Sequence, residues 1–291
     1  MYEKEKNMNK KEIVYFDVNP TLEGMAECFS DIVYSEETGQ KLTLIRPWTH
    51  ENDPRRFPLI VFVQGSAWTT PNLGYEIPQL GQLARKGYAV ATVSHRDSSK
   101  GHPVPAFLKD VKTAIRFLRA NAENFKIIPE RVAIWGTSSG GNTSLLVAVT
   151  RDFEEYKTAE YAEYSDSVNF AISCFGPTDM LTRMQVFAEN TPPELQAMAK
   201  RLAGDRDVAE VAKEMSPLLR LEEGVSYPPI LLLHGDADPI VPYEQSEAMY
   251  EKLLELGQDA KLVCVRGANH EGDFWSRELV DYIFKYIEER I

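Results

Sequence analysis

The sequence is short of cysteine and has no long apolar segment. Its three cysteines, Cys28, Cys174 and Cys264, are too few and too widely spaced for a disulfide framework or a Cys/His zinc site. No run of residues is long and apolar enough to cross a membrane. Residues 1–12 form a polar tail that lacks the apolar core of a secretory signal. These absences predict a cytoplasmic protein, in which Cys174 and Cys264, inside apolar strand-like runs, are small buried hydrophobes.

Positive charge is also scarce. The chain has 32 Lys and Arg against 44 Asp and Glu, which gives a net charge of −12. This balance argues against a phosphate-backbone partner and gives no reason to expect an anionic membrane surface. We therefore expect neither nucleic acid nor membrane as a partner, while the oligomeric state stays open. With 43% hydrophobic and 26% charged residues, the 291-residue chain has the composition of one soluble globular domain.

The most informative stretch is Arg131–Asn142. An apolar run, Val132–Trp135, leads into the turn Gly136-Thr-Ser-Ser-Gly140 and then into a small-residue helix. A G-x-S-x-G turn between strand and helix holds its serine in a strained backbone conformation, with the hydroxyl above the sheet. The helix N-terminus adds N–H groups and a positive dipole end where negative charge develops. Ser138 is therefore the candidate nucleophile.

An acid and a base follow two apolar runs nearer the C-terminus. Asp238 and His270 each lie in a loop just after a predicted strand. Catalytic groups gather at the carboxyl ends of strands in open α/β sheets. The order Ser, Asp, His is that of α/β-hydrolases rather than of trypsin-like or subtilisin-like enzymes. This order predicts a catalytic triad of Ser138, Asp238 and His270. The resemblance to α/β-hydrolases implies that the nearby acids Asp236 and Glu271 take no part, because Asp238 matches the position that this superfamily uses.

A second loop is a candidate oxyanion hole. The predicted strand Leu59–Val63 is followed by Gln64-Gly-Ser-Ala-Trp68. In α/β-hydrolases this loop supplies a backbone N–H to the oxyanion hole, often with the sequence H-G-G-G. Small residues let the backbone approach a substrate oxygen, so we expect the main chain of Ser66 or Ala67, together with Ser139, to bind the oxyanion. An ordinary glycine turn is the alternative.

Three side chains are candidate substrate contacts. Gln64 stands where the H-G-G-G pattern has histidine. Trp68 either walls the acyl or leaving-group pocket or is a partly buried aromatic. His102 lies in a Ser/Gly/Pro loop, where it either lines the pocket or is simply exposed.

Strand and helix signals alternate along most of the chain. A hairpin is predicted over residues 28–46, and apolar residues at 3–4–3 spacing over 108–118 predict an amphipathic crossover helix. Such alternation favours a mostly parallel sheet with helices on both faces, within a single domain spanning residues 1–291. Around residues 180–227 the pattern breaks into short helical pieces, which predicts a small cap over the site. Four apolar residues there either touch substrate or pack within the cap: Met184, Phe187, Met198 and Leu202.

Several of these motifs resemble a known superfamily. Gly136–Asn142, His234–Pro242 and Asn269–His270 resemble the α/β-hydrolases, and Pro105–Asn121 resembles the branch of small acetyl and feruloyl esterases (BD-FAE-like) that shades into carboxylesterases. The similarity covers roughly Asp31 to the C-terminus. It implies an α/β-hydrolase fold and a serine esterase that needs neither metal nor organic cofactor. The implied substrates are esters of small or carbohydrate-linked alcohols, cleaved through an acyl-enzyme.

Two other functions remain compatible with these residues. A serine peptidase of prolyl-oligopeptidase type would use the same triad on amides, although such enzymes usually carry a β-propeller for which this chain is too short. A catalytically inactive α/β-hydrolase would act as a ligand-binding protein, but it would not need to retain Ser138, Asp238 and His270 together. The acyl group and the alcohol are not specified by the sequence.

Overall fold

The computed structural model describes residues 13–181 and 193–291, and one eight-stranded sheet runs through its centre. The order across the sheet is β1-β2-β4-β3-β5-β6-β7-β8. The pairs β1/β2 and β2/β4 are antiparallel, and all the others are parallel. The strands are β1 (Ala26–Val33), β2 (Lys41–Pro47), β3 (Phe57–Val63), β4 (Ala89–Val93), β5 (Ile127–Thr137), β6 (Ala171–Cys174), β7 (Ile230–Gly235) and β8 (Ala260–Val265).

The central strands are apolar throughout because both faces of the sheet are covered. In β3, Leu59, Val61 and Val63 enter one buried core, and the alternate residues Ile60 and Phe62 enter the other. The first core includes residues of α2 (Ala106–Ala120), α4 (Ser139–Val149) and α7 (Glu244–Glu255), together with residues of the helices between β6 and β7. The second contains residues of α1 (Ile77–Arg85) and α8 (Arg277–Glu288). The predicted α/β-hydrolase fold, with helices on both faces, is thus confirmed.

The prediction that Cys264 is buried is wrong, because this residue lies on the edge strand β8. Its residues are only partly buried or exposed, and Cys264 is exposed rather than buried. An edge strand has a neighbour on one side only, so an apolar run does not guarantee burial there. Cys174, on the interior strand β6, is completely buried as predicted.

The region of the predicted cap lies between β6 and β7. The described part contains α5 (Pro193–Ala203) and α6 (Val208–Glu214); a short helix, α3 (Ala122–Phe125), precedes β5. Met184 and Phe187 lie outside the described residues. Leu202 is completely buried in the core, whereas Met198 is half-buried beside the serine. Within the described chain, no helix is long and apolar enough to span a membrane.

Candidate active site

Ser138 lies in a sharp turn between β5 and α4. Its backbone has φ 50° and ψ −121°, a conformation that residues with a side chain rarely adopt and that costs about 1–3 kcal/mol. The flanking glycines are required by close approach. A Cβ on Gly136 would lie 2.1 Å from the Gly140 carbonyl oxygen, and one on Gly140 would lie 1.9 Å from the Val63 carbonyl oxygen. The G-x-S-x-G spacing is therefore what lets β5, α4 and β3 meet around this serine.

A continuous chain of hydrogen bonds joins Ser138 to two side chains from the ends of β7 and β8. The Nε2 atom of His270 lies 2.9 Å from Ser138 Oγ. Its Nδ1 atom lies 2.6 Å from Asp238 Oδ2. A carboxylate can only accept, so Nδ1 carries the proton and Nε2 is left free to accept the serine hydroxyl hydrogen. The structure thus brings together the three residues predicted as the triad.

The Asp238 carboxylate is completely buried and heavily hydrogen-bonded. Its Oδ1 accepts the amides of Ile240 and Val241 at 2.8 and 2.9 Å, and its Oδ2 faces both His270 and His234. Burial favours the neutral acid, but these hydrogen bonds outweigh it and hold the pKa of Asp238 well below its usual range. The residue is therefore a carboxylate at neutral pH. His234 was not predicted as a site residue, although it stands four positions before Asp238 in the same motif.

The two neighbouring acids have other partners. Asp236 Oδ1 accepts the Gly267 amide, and Glu271 Oε1 accepts the indole N–H of Trp275. Within the described chain, neither carboxylate is hydrogen-bonded to the His270 ring. This arrangement agrees with leaving both acids out of the triad.

The loop after β3 forms a tight, strained turn beside Ser138. Ala67 and Trp68 both have positive φ, 49° and 57°, and the Thr69 amide donates to the Ser66 carbonyl at 3.0 Å. These features are typical of a type I′ turn, which normally needs Gly or Asn at its centre. Two side-chain bonds hold it: Thr69 Oγ1 donates to the Ser66 carbonyl, and Ser66 Oγ donates to the Thr69 carbonyl. Strain of this kind is characteristic of functional sites.

The backbone donors near Ser138 are not equivalent. The Ser66 amide already donates to Ser139 Oγ at 2.9 Å, and the Gly65 amide donates to Thr137 Oγ1. Among residues 13–181 and 193–291, the Ala67 amide has no acceptor. The Ser139 amide is the first of α4 and so has no intrahelical carbonyl to bind. Of the predicted donors, Ala67 and Ser139 are therefore available, whereas Ser66 is occupied.

A small apolar cavity of about 80 Å³ adjoins Ser138. Trp68 lines this cavity and is only 3% exposed, so it is fully buried rather than partly buried. The helix α5 contributes Leu195 and Met198 to the lining. The remaining lining residues are Ala67, Ser139, Pro177, Met180, Ile240 and Val241.

Neither Gln64 nor His102 lines this cavity. The Gln64 Oε1 atom accepts the Asn72 amide, so the side chain ties down its own loop. His102 is exposed and lines a separate surface cavity of about 430 Å³ with His95 and Lys100. The structure therefore does not place these two predicted substrate contacts at Ser138. Within the described residues, no group of three or more His, Cys, Asp or Glu side chains is arranged to hold a metal ion.

A buried acid near the site makes stability depend on pH. Glu76 is 9% exposed, and its Oε1 has no hydrogen-bond partner in the described structure. Burial, and to a smaller extent the negative charge of the nearby Glu271, raise the pKa of Glu76 from 4.5 to about 7. The folded protein therefore keeps the proton on the Glu76 carboxyl group at pH values where the same group in the unfolded chain has already lost it. Stability therefore falls as pH rises from about 4.5 to about 7, and the penalty is complete above that window.

We expect Glu76→Gln, which mimics the neutral acid, to raise Tm by about a few degrees at pH 8 and by much less at pH 5. Thermal melts of the wild type and the variant at both pH values check this. Glu51→Gln, at an exposed carboxylate, is the matched control and should change neither melt. An equal gain at both pH values would show that Glu76 is not held neutral by burial.

The fold and the site together define an α/β-hydrolase. The sheet is mostly parallel with an antiparallel β2, the serine lies at a strand–helix elbow, and the acid and the histidine follow β7 and β8. Comparison with family models is more specific. The BD-FAE model matches residues 47–253, and a Phospholipase/Carboxylesterase model matches residues 219–289. The chain belongs to the BD-FAE family.

Individual relatives point the same way. Esterase LipC of Mycobacterium tuberculosis is 30% identical over 83% of this chain and 59% of its own length, so the present chain spans a little over half of that relative. A truncated carbohydrate esterase from gut microbiota is 27% identical, with a TM-score of 0.77 over 90% of this chain and 95% of that one. The propionate-bound Est2 esterase of Thermogutta terrifontis is 25% identical, with a TM-score of 0.72 over 93% and 96% of the two chains.

Proposed function

We propose that this protein is a serine esterase that hydrolyses carboxylic esters through an acyl-enzyme. The observation that carries the proposal is the unbroken hydrogen-bond chain Ser138–His270–Asp238. A neutral serine hydroxyl is a weak nucleophile, so His270 Nε2 takes its proton as Oγ attacks the ester carbonyl. Asp238 keeps the proton on Nδ1 and stabilises the imidazolium that forms. His270 then protonates the departing alcohol, and later activates the water that releases the acid.

The same geometry supports an oxyanion hole made by the main chain of Ala67 and Ser139. Both amides are available beside Ser138, and the positive end of α4 lies at the same place. Each such donor is worth roughly 3–4 kcal/mol of transition-state stabilisation. The Ser66 amide joins them only when the Ser139 hydroxyl turns away from it.

The proposed substrates are short-chain acyl esters of small or carbohydrate-linked alcohols, of the acetyl or feruloyl esterase type. The cavity beside Ser138 is small and apolar, which suits the methyl or ethyl end of a short acyl group. A carbohydrate esterase and a propionate-bound esterase among the similar structures support this class. A feruloyl group is larger, and it fits this proposal only with its ring outside the cavity.

We expect kcat/KM on p-nitrophenyl esters to be highest from acetate to butyrate and to fall at least tenfold for decanoate. Among the described residues, the cavity lined by Trp68, Leu195 and Met198 has a volume of only about 80 Å³, which is small for a long acyl chain. Met198→Ala enlarges this cavity and should raise the relative rate on longer esters, whereas Lys200→Ala, at an exposed position on the same helix, should not. A preference for decanoate in the wild type would contradict a confined acyl pocket.

The proposed function as a whole is tested on a panel of substrates, which consists of the p-nitrophenyl esters together with acetylated xylan, a feruloyl ester and a prolyl amide. Wild type and Ser138→Ala are assayed side by side on each. Ester hydrolysis that disappears in the variant supports the proposal. Turnover of the prolyl amide alone would favour a peptidase, and no turnover of any substrate would favour a ligand-binding protein.

A further inference from the structure

A second histidine, His234, reaches the buried end of the hydrogen-bond chain. It lies near the carboxyl end of β7 and is completely buried. Its Nε2 atom lies 2.8 Å from the Val241 carbonyl oxygen and 3.2 Å from Asp238 Oδ2. Its Nδ1 atom lies 2.7 Å from Ser246 Oγ on α7, and Ser246 is also completely buried.

These partners determine where the proton of His234 resides. A backbone carbonyl can only accept, so Nε2 must carry a hydrogen. That hydrogen points at the Val241 carbonyl and, more weakly, at the Asp238 carboxylate. With Nε2 protonated, Nδ1 of the neutral ring accepts the hydroxyl hydrogen of Ser246. The Val241 carbonyl thereby fixes the tautomer of His234, and Ser246 helps to fix the orientation of its ring.

The contacts of His234 link the Asp238–His270 pair to the lining of the apolar cavity. Val241 donates its amide to Asp238 Oδ1, accepts from His234 with its carbonyl, and contributes to the lining of the apolar cavity. The Oδ2 atom that faces His234 is the same atom that holds His270. The His234 ring, with its tautomer fixed, therefore holds the turn of residues 238–241 in place. By doing so it also holds the Asp238 carboxylate in position.

We propose that His234 is a positioning residue, which orients the Asp238 carboxylate toward His270 without touching substrate. The inference rests on the proposed ester hydrolysis, because it assigns His234 a part in that reaction. A displacement of the acid on the order of 1 Å weakens its bond to His270 and costs about 10²-fold in rate. The requirement is specific: the side chain must donate a hydrogen bond from the position of Nε2.

Two substitutions separate that requirement from simple packing. In His234→Gln the terminal amide reaches the position of Nε2 and can still donate, whereas in His234→Asn it reaches only the position of Nδ1. On p-nitrophenyl acetate we expect His234→Asn to lower kcat by about 10- to 100-fold with KM changed little. The acid limb of its kcat/KM profile should move to lower pH, because a misplaced carboxylate stabilises the His270 imidazolium less. His234→Gln should recover most of kcat and the wild-type profile.

The control is His95→Asn. His95 is also a buried histidine at the end of a strand, with Nδ1 3.1 Å from the Arg96 carbonyl, but it contacts neither Asp238 nor His270. We expect this variant to lower Tm while leaving the pH profile in place. If His234→Asn fails to fold, Ser246→Ala replaces it. Loss of the hydroxyl that helps to orient the His234 ring should lower kcat several-fold and shift the acid limb in the same direction.

A readout independent of turnover separates this inference from the proposed function. The proton between His270 Nδ1 and Asp238 should give a far-downfield ¹H NMR signal in the wild type, in His95→Asn and in His234→Gln. The signal should move upfield or vanish in His234→Asn. Such a pattern in a protein that hydrolyses no ester would refute the esterase and leave the positioning role standing. Unchanged kcat, pH profile and NMR signal in His234→Asn, in an active enzyme, would overturn the positioning role itself.

Discussion

Replacing Ser138 by alanine is expected to lower kcat for ester hydrolysis by about 10⁶-fold, the scale seen when the nucleophile of a serine hydrolase is removed. Without the hydroxyl no acyl-enzyme forms, and His270 has no proton to accept. The fold should remain intact, because the change removes only one oxygen from a half-buried position. The measurement is kcat on p-nitrophenyl acetate, with a thermal melt of the same preparation.

Ser139→Ala is the matched control for this prediction. The proposed contribution of Ser139 comes from its main-chain amide, which alanine retains, so the loss should be far smaller, within about tenfold. The substitution also frees the Ser66 amide from the Ser139 hydroxyl, which leaves a third backbone donor beside the nucleophile. A Ser138→Ala enzyme with near-normal activity and a normal melt would place the nucleophile elsewhere.

Asp238→Asn is expected to lower kcat by about 10⁴-fold without unfolding the protein. The asparagine oxygen can still accept the amides of Ile240 and Val241, so the turn keeps its support. Its NH₂ group, however, donates toward His270 Nδ1 and stabilises the tautomer with the proton on Nε2. That tautomer cannot accept the proton of Ser138.

Asp236→Asn tests the same assignment from the other side. Asp236 is exposed, and its carboxylate receives the Gly267 amide rather than a side chain of the site. We expect its kcat to stay within a few-fold of wild type, with the wild-type pH dependence. If this substitution were the crippling one and Asp238→Asn were nearly normal, the acid of the triad would be Asp236.

Much of the site was predictable because its geometry is local. Gly136 and Gly140 flank Ser138 within five residues, and the close approach of β5, α4 and β3 admits no other residue at those two positions. Asp238 and His270 follow strands directly, so once the sheet is parallel their loops must meet at one edge. Short-range pattern and topology together were enough to predict that these three side chains lie together.

The contacts that the sequence did not predict are those of individual side chains and amides in loops and at strand ends. The hydrogen bond from the Ser66 amide to Ser139 Oγ joins residues that are 73 positions apart in the chain. No local sequence pattern at either residue predicts it. Gln64 and His102 were placed near the substrate from their loops alone, yet one side chain binds its own loop and the other faces a different cavity. The sequence does not predict a role for His234, because a histidine inside an apolar strand gives no sign of its partners.

The sequence by itself determined the class of fold, the position of the elbow and the order of the triad, since these depend on hydrophobic periodicity, glycine spacing and the ends of strands. Only the tertiary structure decided which amides beside Ser138 lack an acceptor in the described chain, how small the neighbouring cavity is, and that His234 lies beside Ser246 of α7. Hydrogen bonds and cavity walls depend on distances of a few tenths of an ångström between residues far apart in the chain. Such distances are fixed when the two cores pack against the sheet, and no local pattern encodes them.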